Sequence, residues 1–253
     1  MKRATVGRVP GHWSIPSRSP EDPVLLFLHG GGILSPWVTP MARPLSYLAR
    51  LSGLRAFAVD YRIAPTDVFP AAHEDCASVY REFVSQGSRI ILVGESSGGV
   101  LALATLLRAK AEKLPQPSLC VLISPVVDFG YHDPAIWRYE AIFPHPAWGV
   151  DLHSHYVAGA DTSRPELSPV DADLAGLPPI HAIAGEHDFA RGEIERLANA
   201  ARRHSLTMES VILPDLWHGW NLLVPWLPEA TSAYQALAGI IRQHTTPHLA
   251  APG

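Results

Sequence analysis

Four unbroken apolar stretches stand out along the chain, at residues 24–28, 56–59, 90–93 and 119–123, each four or five residues long. Runs of this length, without polar alternation, suit strands buried on both faces of a parallel sheet. Two further strands are expected at 180–184 and 209–213, where one or more polar positions interrupt the pattern. Between these segments the apolar spacing changes to the helical period. Ala72, Cys76, Val79, Tyr80 and Phe83 share one face, as do Val100, Leu103, Ala104 and Leu107. Ile194, Leu197, Ala198 and Ala201 form a third such face, and Ala233, Tyr234, Leu237, Ile240 and Ile241 a fourth. A short helix over 42–52 is stopped by Gly53. Alternation of strand and helix predicts an α/β fold, a mostly parallel sheet with helices on both sides.

Two regions depart from that pattern. Residues 1–23 are rich in Pro, Ser and Gly, and only His12–Ile15 resembles a strand, of the edge type. Residues 129–165 have no clear period beyond a short helix near 150–158, and they carry Phe129, Tyr131, Trp137, Tyr139, Phe143 and Trp148. An insertion of this size between sheet elements is expected to be a lid, with some rings walling a pocket. Trp137, Phe143 and Trp148 are the substrate-binding candidates. No linker or repeat divides the chain, so a single domain over 1–253 is expected, with 129–165 as its lid or cap.

Composition adds exclusions. The 47% apolar and 17% charged residues suit a large core and exclude a disordered chain. A net charge of -4 offers nothing to nucleic acid or an acidic membrane. Cys76 and Cys120 lie in apolar segments and read as core thiols, with no zinc spacing or disulfide framework. No apolar run reaches a membrane span, and no apolar segment follows Lys2 and Arg3, so a soluble cytoplasmic protein is expected. A homodimer is compatible with these features.

The chemistry gathers where strands end. Gly94-Glu95-Ser96-Ser97-Gly98-Gly99 is G-x-S-x-G between a strand and a helix, the context that lifts a serine hydroxyl clear of a sheet. Asp188 follows the strand at 180–184 and His218 the strand at 209–213, in the order Ser, Asp, His. Ser96 is the candidate nucleophile, His218 its base and Asp188 the orienting acid. Backbone amides of His29-Gly30-Gly31-Gly32 and of Ser97 are candidates for holding an oxyanion. Competing readings attach to several of these residues. Asp188 can serve as a helix cap, and Asp128, also after a strand, is the rival acid. His218 is one of thirteen histidines. The glycine run lacks both phosphate-loop spacings, and His153 and His155 lack a metal-binding pattern and read as lid residues. Glu95 reads as a buried carboxylate supporting the site.

With these motifs in order from residue 24 to about 244, the chain resembles the hormone-sensitive-lipase-like family of serine esterases, in its bacterial carboxylesterase branch. Asp60-Tyr61-Arg62-Ile63-Ala64-Pro65, Phe69-Pro70-Ala71-Ala72-His73-Glu74-Asp75-Cys76, Ser124-Pro125 with Asp128, Gly185 with Asp188, and His218-Gly219 complete the likeness. The resemblance implies an eight-stranded α/β-hydrolase fold, no cofactor, and hydrolysis of short-chain carboxylic esters as small-molecule substrates. It also assigns the triad to Ser96, Asp188 and His218, and the oxyanion donors to Gly31, Gly32 and Ser97. Departures exist. The oxyanion loop begins already at residue 29, leaving little chain before it for cap helices, so the lid is expected to rest on 129–165. Thr66 stands where Glu is usual, Ser97 where Ala is common, and Phe189-Ala190-Arg191 where Pro-Leu-x-Asp is usual. Two other functions share this fold, an amide-cleaving formamidase and a hormone receptor that has lost the histidine; His218 argues against the latter.

Overall fold

The computed structural model describes residues 1–37, 39–132 and 146–245. Eight strands form one sheet: β1 (Lys2–Val6), β2 (Val9–Ser14), β3 (Val24–Leu28), β4 (Ala56–Val59), β5 (Ile90–Glu95), β6 (Leu119–Ile123), β7 (Ile180–His187) and β8 (Met208–Trp217). Their order across the sheet is β1-β2-β4-β3-β5-β6-β7-β8. From β4 to β8 every pairing is parallel; β1 and β2 add an antiparallel edge. That edge hairpin exceeds the sequence expectation. β1 carries no apolar run, and its register against β2 comes from the tight turn at Gly7 and Arg8, both at positive φ.

The central strands are buried on both faces, and their side chains sort by the pleat. Leu26, Leu28 and Leu92 face a core completed by helices α2 (Ala71–Ser85), α3 (Gly98–Ala111) and α5 (Ala190–Arg203). Leu25, Phe27, Ile91 and Val93 face the opposite core, under α1 (Thr39–Ser52) and α6 (Pro228–Gln243). Each fully buried Leu or Phe contributes about 2 kcal/mol to folding, so the two layers hold the strand ends rigidly.

Those ends are what the site needs. Leu28 pairs with Gly94 and Glu95 with Ile123, so the loops after β3, β5 and β6 leave the sheet side by side. The end of β7 lies next to them, and ligands gather at such carboxyl ends. A further helix, α4 (Pro146–Val157), adds Tyr156 and Val157 to the first core and brings Leu152 against the loop after β3. Among the described residues no helix is long and apolar enough to cross a membrane.

Candidate active site

Ser96 leaves β5 at φ 53°, a left-handed conformation unfavourable for a residue with a β-carbon. Three backbone hydrogen bonds hold it there. Its N–H donates to the Ile123 carbonyl at 3.0 Å, and its carbonyl accepts from Gly99 at 2.8 Å and Val126 at 2.9 Å. The turn closes because residue 98 is glycine: a β-carbon there would stand 2.1 Å from the Leu28 carbonyl oxygen. The serine hydroxyl is thereby presented at the sheet edge.

His218 Nε2 lies 3.0 Å from Ser96 Oγ, and His218 Nδ1 lies 2.9 Å from Asp188 Oδ1. Nδ1–H donates to the carboxylate, which leaves the Nε2 lone pair facing the serine hydroxyl. The same Asp188 oxygen accepts the Ala190 N–H at 2.9 Å, at the start of α5, so it is shared between the first amide of the helix and the histidine ring. Burial alone would lower the His218 pKa; the Asp188 charge and hydrogen bond, reinforced by Glu95, outweigh it and hold the imidazole above its ordinary value of 6.5. The histidine reaches this position through a bulge. Leu213 pairs with Gly185 and Trp217 with His187, four steps along β8 against two along β7. Phe189 stacks on the imidazole at 4.5 Å between ring centroids.

The two neighbours of Ser96 grip the glycine loop. Glu95 Oε2 accepts the Gly30 N–H at 2.7 Å, and Ser97 Oγ accepts the Gly32 N–H at 3.0 Å. Among the described residues, the N–H groups of Gly31 and Ser97 have no protein acceptor. The hydrogen-bonding capacity of these two amides is unused within the described protein. Burial raises the Glu95 carboxyl above its usual range, against the pull of His218, the Gly30 amide and Asn221. Behind the loop, the Tyr61 hydroxyl donates to the His29 carbonyl at 2.6 Å, and its ring stacks on the His29 imidazole.

Helix α4 closes over the same loop. Gly32, at φ 69°, has no room for a side chain: its β-carbon would lie 2.1 Å from Leu152 Cδ2. His153 turns inward, stacks on Phe129 and shares a 2.5 Å hydrogen bond with the Tyr131 hydroxyl; burial lowers its pKa to about 3. The Tyr156 hydroxyl donates to His73 Nδ1 at 2.8 Å, and His73 Nε2–H donates to the Glu166 carbonyl. His155 stays exposed. Phe129 and Tyr131 are thus buried under α4 rather than spread through a solvated loop. Trp137, Tyr139 and Phe143 lie outside the described residues, and Trp148 sits in α4 with its side chain outside them.

Asp128, the rival acid, is fully buried and fully occupied. It accepts the N–H groups of Gly130 and His132, the Ser168 hydroxyl and the Arg196 guanidinium. Burial would raise its pKa, but those donors hold it below the usual carboxylate range. Two groups among the described residues bring metal-type ligand atoms within 4.8 Å of one another, Asp128 with His132 and Asp171, and Glu186 with His187 and Asp215. Neither includes Ser96, Asp188 or His218. Leu152 and Phe189 carry no local signal of their role, because each meets the site only through space; Phe189 marks itself solely by replacing the usual Pro-Leu-x-Asp pattern.

A family model described as alpha/beta hydrolase fold matches residues 25–222. An acetyl-hydrolase of Streptomyces hygroscopicus is 30% identical over 246 residues, 95% of this chain and 82% of its own. An ethyl acetate hydrolase of Pseudomonas putida is 27% identical over 90% of this chain and 77% of its own. Among solved structures, an esterase from the bacterial hormone-sensitive lipase family superposes with a TM-score of 0.91 at 29% identity, over 97% of this chain and 84% of the other. The matched span, the sheet order and these relatives together make the chain a member of the α/β-hydrolase family, in its hormone-sensitive-lipase-like esterase branch.

Proposed function

We propose that the protein is a serine carboxylesterase that hydrolyses short-chain acyl esters through an acyl-enzyme. The observation that carries this is the continuous hydrogen-bond chain from Ser96 through His218 to Asp188 at a left-handed elbow. Neutral His218 takes the Ser96 proton as the hydroxyl oxygen attacks the ester carbonyl. The imidazolium that forms is stabilised by Asp188 and returns its proton to the departing alcohol. A water then repeats the sequence on the acyl-enzyme, releasing the acid and freeing Ser96. Charge developing on the carbonyl oxygen is met by the amides of Gly31 and Ser97, at the loop and at the start of α3, while the Gly32 amide, the third expected donor, is taken up by Ser97 Oγ.

Short acyl groups are favoured on two grounds. The acetyl-hydrolase and ethyl acetate hydrolase named above are relatives along most of the chain. The direct seating of Leu152 against Gly32 also brings the cap close over the reacting centre. Residues 129–165 act in this reading as the lid of a single domain, with Trp137, Phe143 and Trp148 as pocket-wall residues.

The test is hydrolysis of p-nitrophenyl acetate beside N-formylkynurenine, by wild type and by Ser96→Ala. The wild type should favour the ester, and the substitution should lower turnover on the order of a million-fold without unfolding the protein. An organophosphate should label wild type at Ser96 alone. Retention of a tenth of the activity in the variant would remove Ser96 from its role, and preference for the formamide would transfer the site to amide cleavage.

A further inference from the structure

Ser97 is the one residue of the elbow that departs from the usual small apolar side chain, and its hydroxyl is placed inside the machinery. It is fully buried, directly follows the nucleophile, and accepts the Gly32 N–H at 3.0 Å. That bond commits the Gly32 amide to residue 97, whereas the Gly31 and Ser97 N–H groups have no protein acceptor among the described residues. The hydroxyl's own proton has no acceptor among the described residues. A buried O–H in this state is unusual, since buried polar hydrogens are nearly always paired.

From these contacts we propose that the Ser97 side chain is a further catalytic residue, whose hydroxyl donates a hydrogen bond to the developing oxyanion in relay from Gly32. The inference rests on the proposed attack of Ser96 on an ester carbonyl. In the relay, Gly32 N–H donates to Ser97 Oγ, and Ser97 Oγ–H donates to the substrate oxygen. A hydroxyl that accepts one hydrogen bond is polarised into a stronger donor for the next. The substrate oxygen thus receives two direct amide bonds, from Gly31 and Ser97, and a third bond from the hydroxyl. No covalent bond changes at Ser97, and no proton leaves it.

The geometry suits a transition-state contact. Leu152 packs against Gly32 and keeps that segment from turning outward, so the Gly32–Ser97 link is held from the cap side. Glu95 holds Gly30 in the same way from the other side of the nucleophile. The hydroxyl rotates about a single bond, so its proton can meet the oxygen as charge accumulates. Interactions made mainly in the transition state act on kcat rather than KM.

The experiment is steady-state kinetics on p-nitrophenyl acetate with Ser97→Ala, Ser97→Cys and wild type, together with inhibition by an aryl trifluoromethyl ketone. Such a ketone adds the serine oxygen and presents an oxyanion. Loss of one oxyanion donor typically lowers kcat by about 100-fold. Ser97→Ala is expected to show a loss of that order with KM changed less than about threefold, and ketone affinity should fall in parallel with kcat/KM. Ser97→Cys, which keeps the side-chain shape with a slightly larger atom and donates only weakly, should fall between the two. If Ser97→Ala does not fold, Ser97→Cys carries the test: reduced kcat with weakened ketone binding supports the relay. Unchanged or increased kcat in whichever variant folds overturns it, because the hydroxyl would then merely occupy Gly32. A fall in kcat with ketone affinity intact overturns it as well. Failure of the underlying reading is separate: wild type would then hydrolyse no ester, or Ser96→Ala would remain active.

Discussion

Asp128 and Asp188 invite direct comparison. Both follow strands, β6 and β7, that are neighbours in the sheet, and both are fully shielded from solvent. Asp128 spends its oxygens on two backbone amides, a serine and an arginine, at the root of the segment that leads toward α4. Asp188 turns one oxygen to His218 and the start of α5, while its other oxygen is a buried atom with no hydrogen-bond partner. The same residue type, at equivalent places, is enclosed by backbone, serine and arginine donors in one case and pairs in the other with a histidine that meets Ser96. What separates them is which donors the surrounding elements deliver. Arg196 comes from α5 to Asp128; His218 comes from the bulged end of β8 to Asp188.

Replacing each carboxylate by an amide should drive the two sites apart. Asp188→Asn is expected to lower kcat by about 10⁴-fold, since an amide cannot hold the imidazole in the tautomer that accepts the Ser96 proton. Asp128→Asn should leave the turnover of folded enzyme within a few-fold of wild type. Its effect belongs to stability: removing one partner of a buried ion pair costs about 3 kcal/mol, on the order of 10 °C in Tm for a domain of this size. Kinetics and thermal unfolding of both variants measure this, and equal losses of turnover would erase the distinction.

The pH profile gives a smaller, directional contrast. In the proposed mechanism His218 acts as base only when neutral, and its pKa is raised above 6.5, so kcat/KM should rise with pH through a midpoint above 6.5 and then level off. The Glu95 carboxylate is one contributor to that raised value. Glu95→Gln should therefore move the acid limb to lower pH, whereas Asp128→Asn should leave it in place. A limb that moves with Asp128 and not with Glu95 would contradict the assignment of charges around the imidazole.

The smallest effect concerns acyl length. Each methylene buried in a pocket contributes about 0.8 kcal/mol until the end is reached, after which overpacking reverses the trend. Wild type should prefer butyryl to hexanoyl p-nitrophenyl esters over acetyl, then fall for long chains. Asp128→Asn, by loosening the root of the cap, should flatten that profile a few-fold, and alanine replacement of Trp137, Phe143 or Trp148 should shift its peak. A profile still rising at palmitoyl, or one unmoved by all four variants, would remove the cap from substrate selection.

How much of this was legible without coordinates follows from the range of each interaction. Buried strands announce themselves because both faces must be apolar, and β3, β4, β5 and β6 are found where the unbroken runs lie. The elbow was equally plain, since glycine near Ser96 answers to close backbone approach within a few residues. Motif and chain order single out Ser96, Asp188 and His218, which the fold joins in one hydrogen-bonded chain, whereas strand-end position alone does not separate Asp188 from its rival Asp128. β1 was not visible, because an edge strand with one open face needs no apolar run. The tertiary structure decided what depends on through-space partners: the inward turn of His153 onto Phe129 and Tyr131, the seat of Leu152 on Gly32, and the division of the glycine amides between Glu95, Ser97 and open space. Local sequence encodes backbone preference and burial, whereas the partner of a buried polar atom is set by elements that arrive from far along the chain.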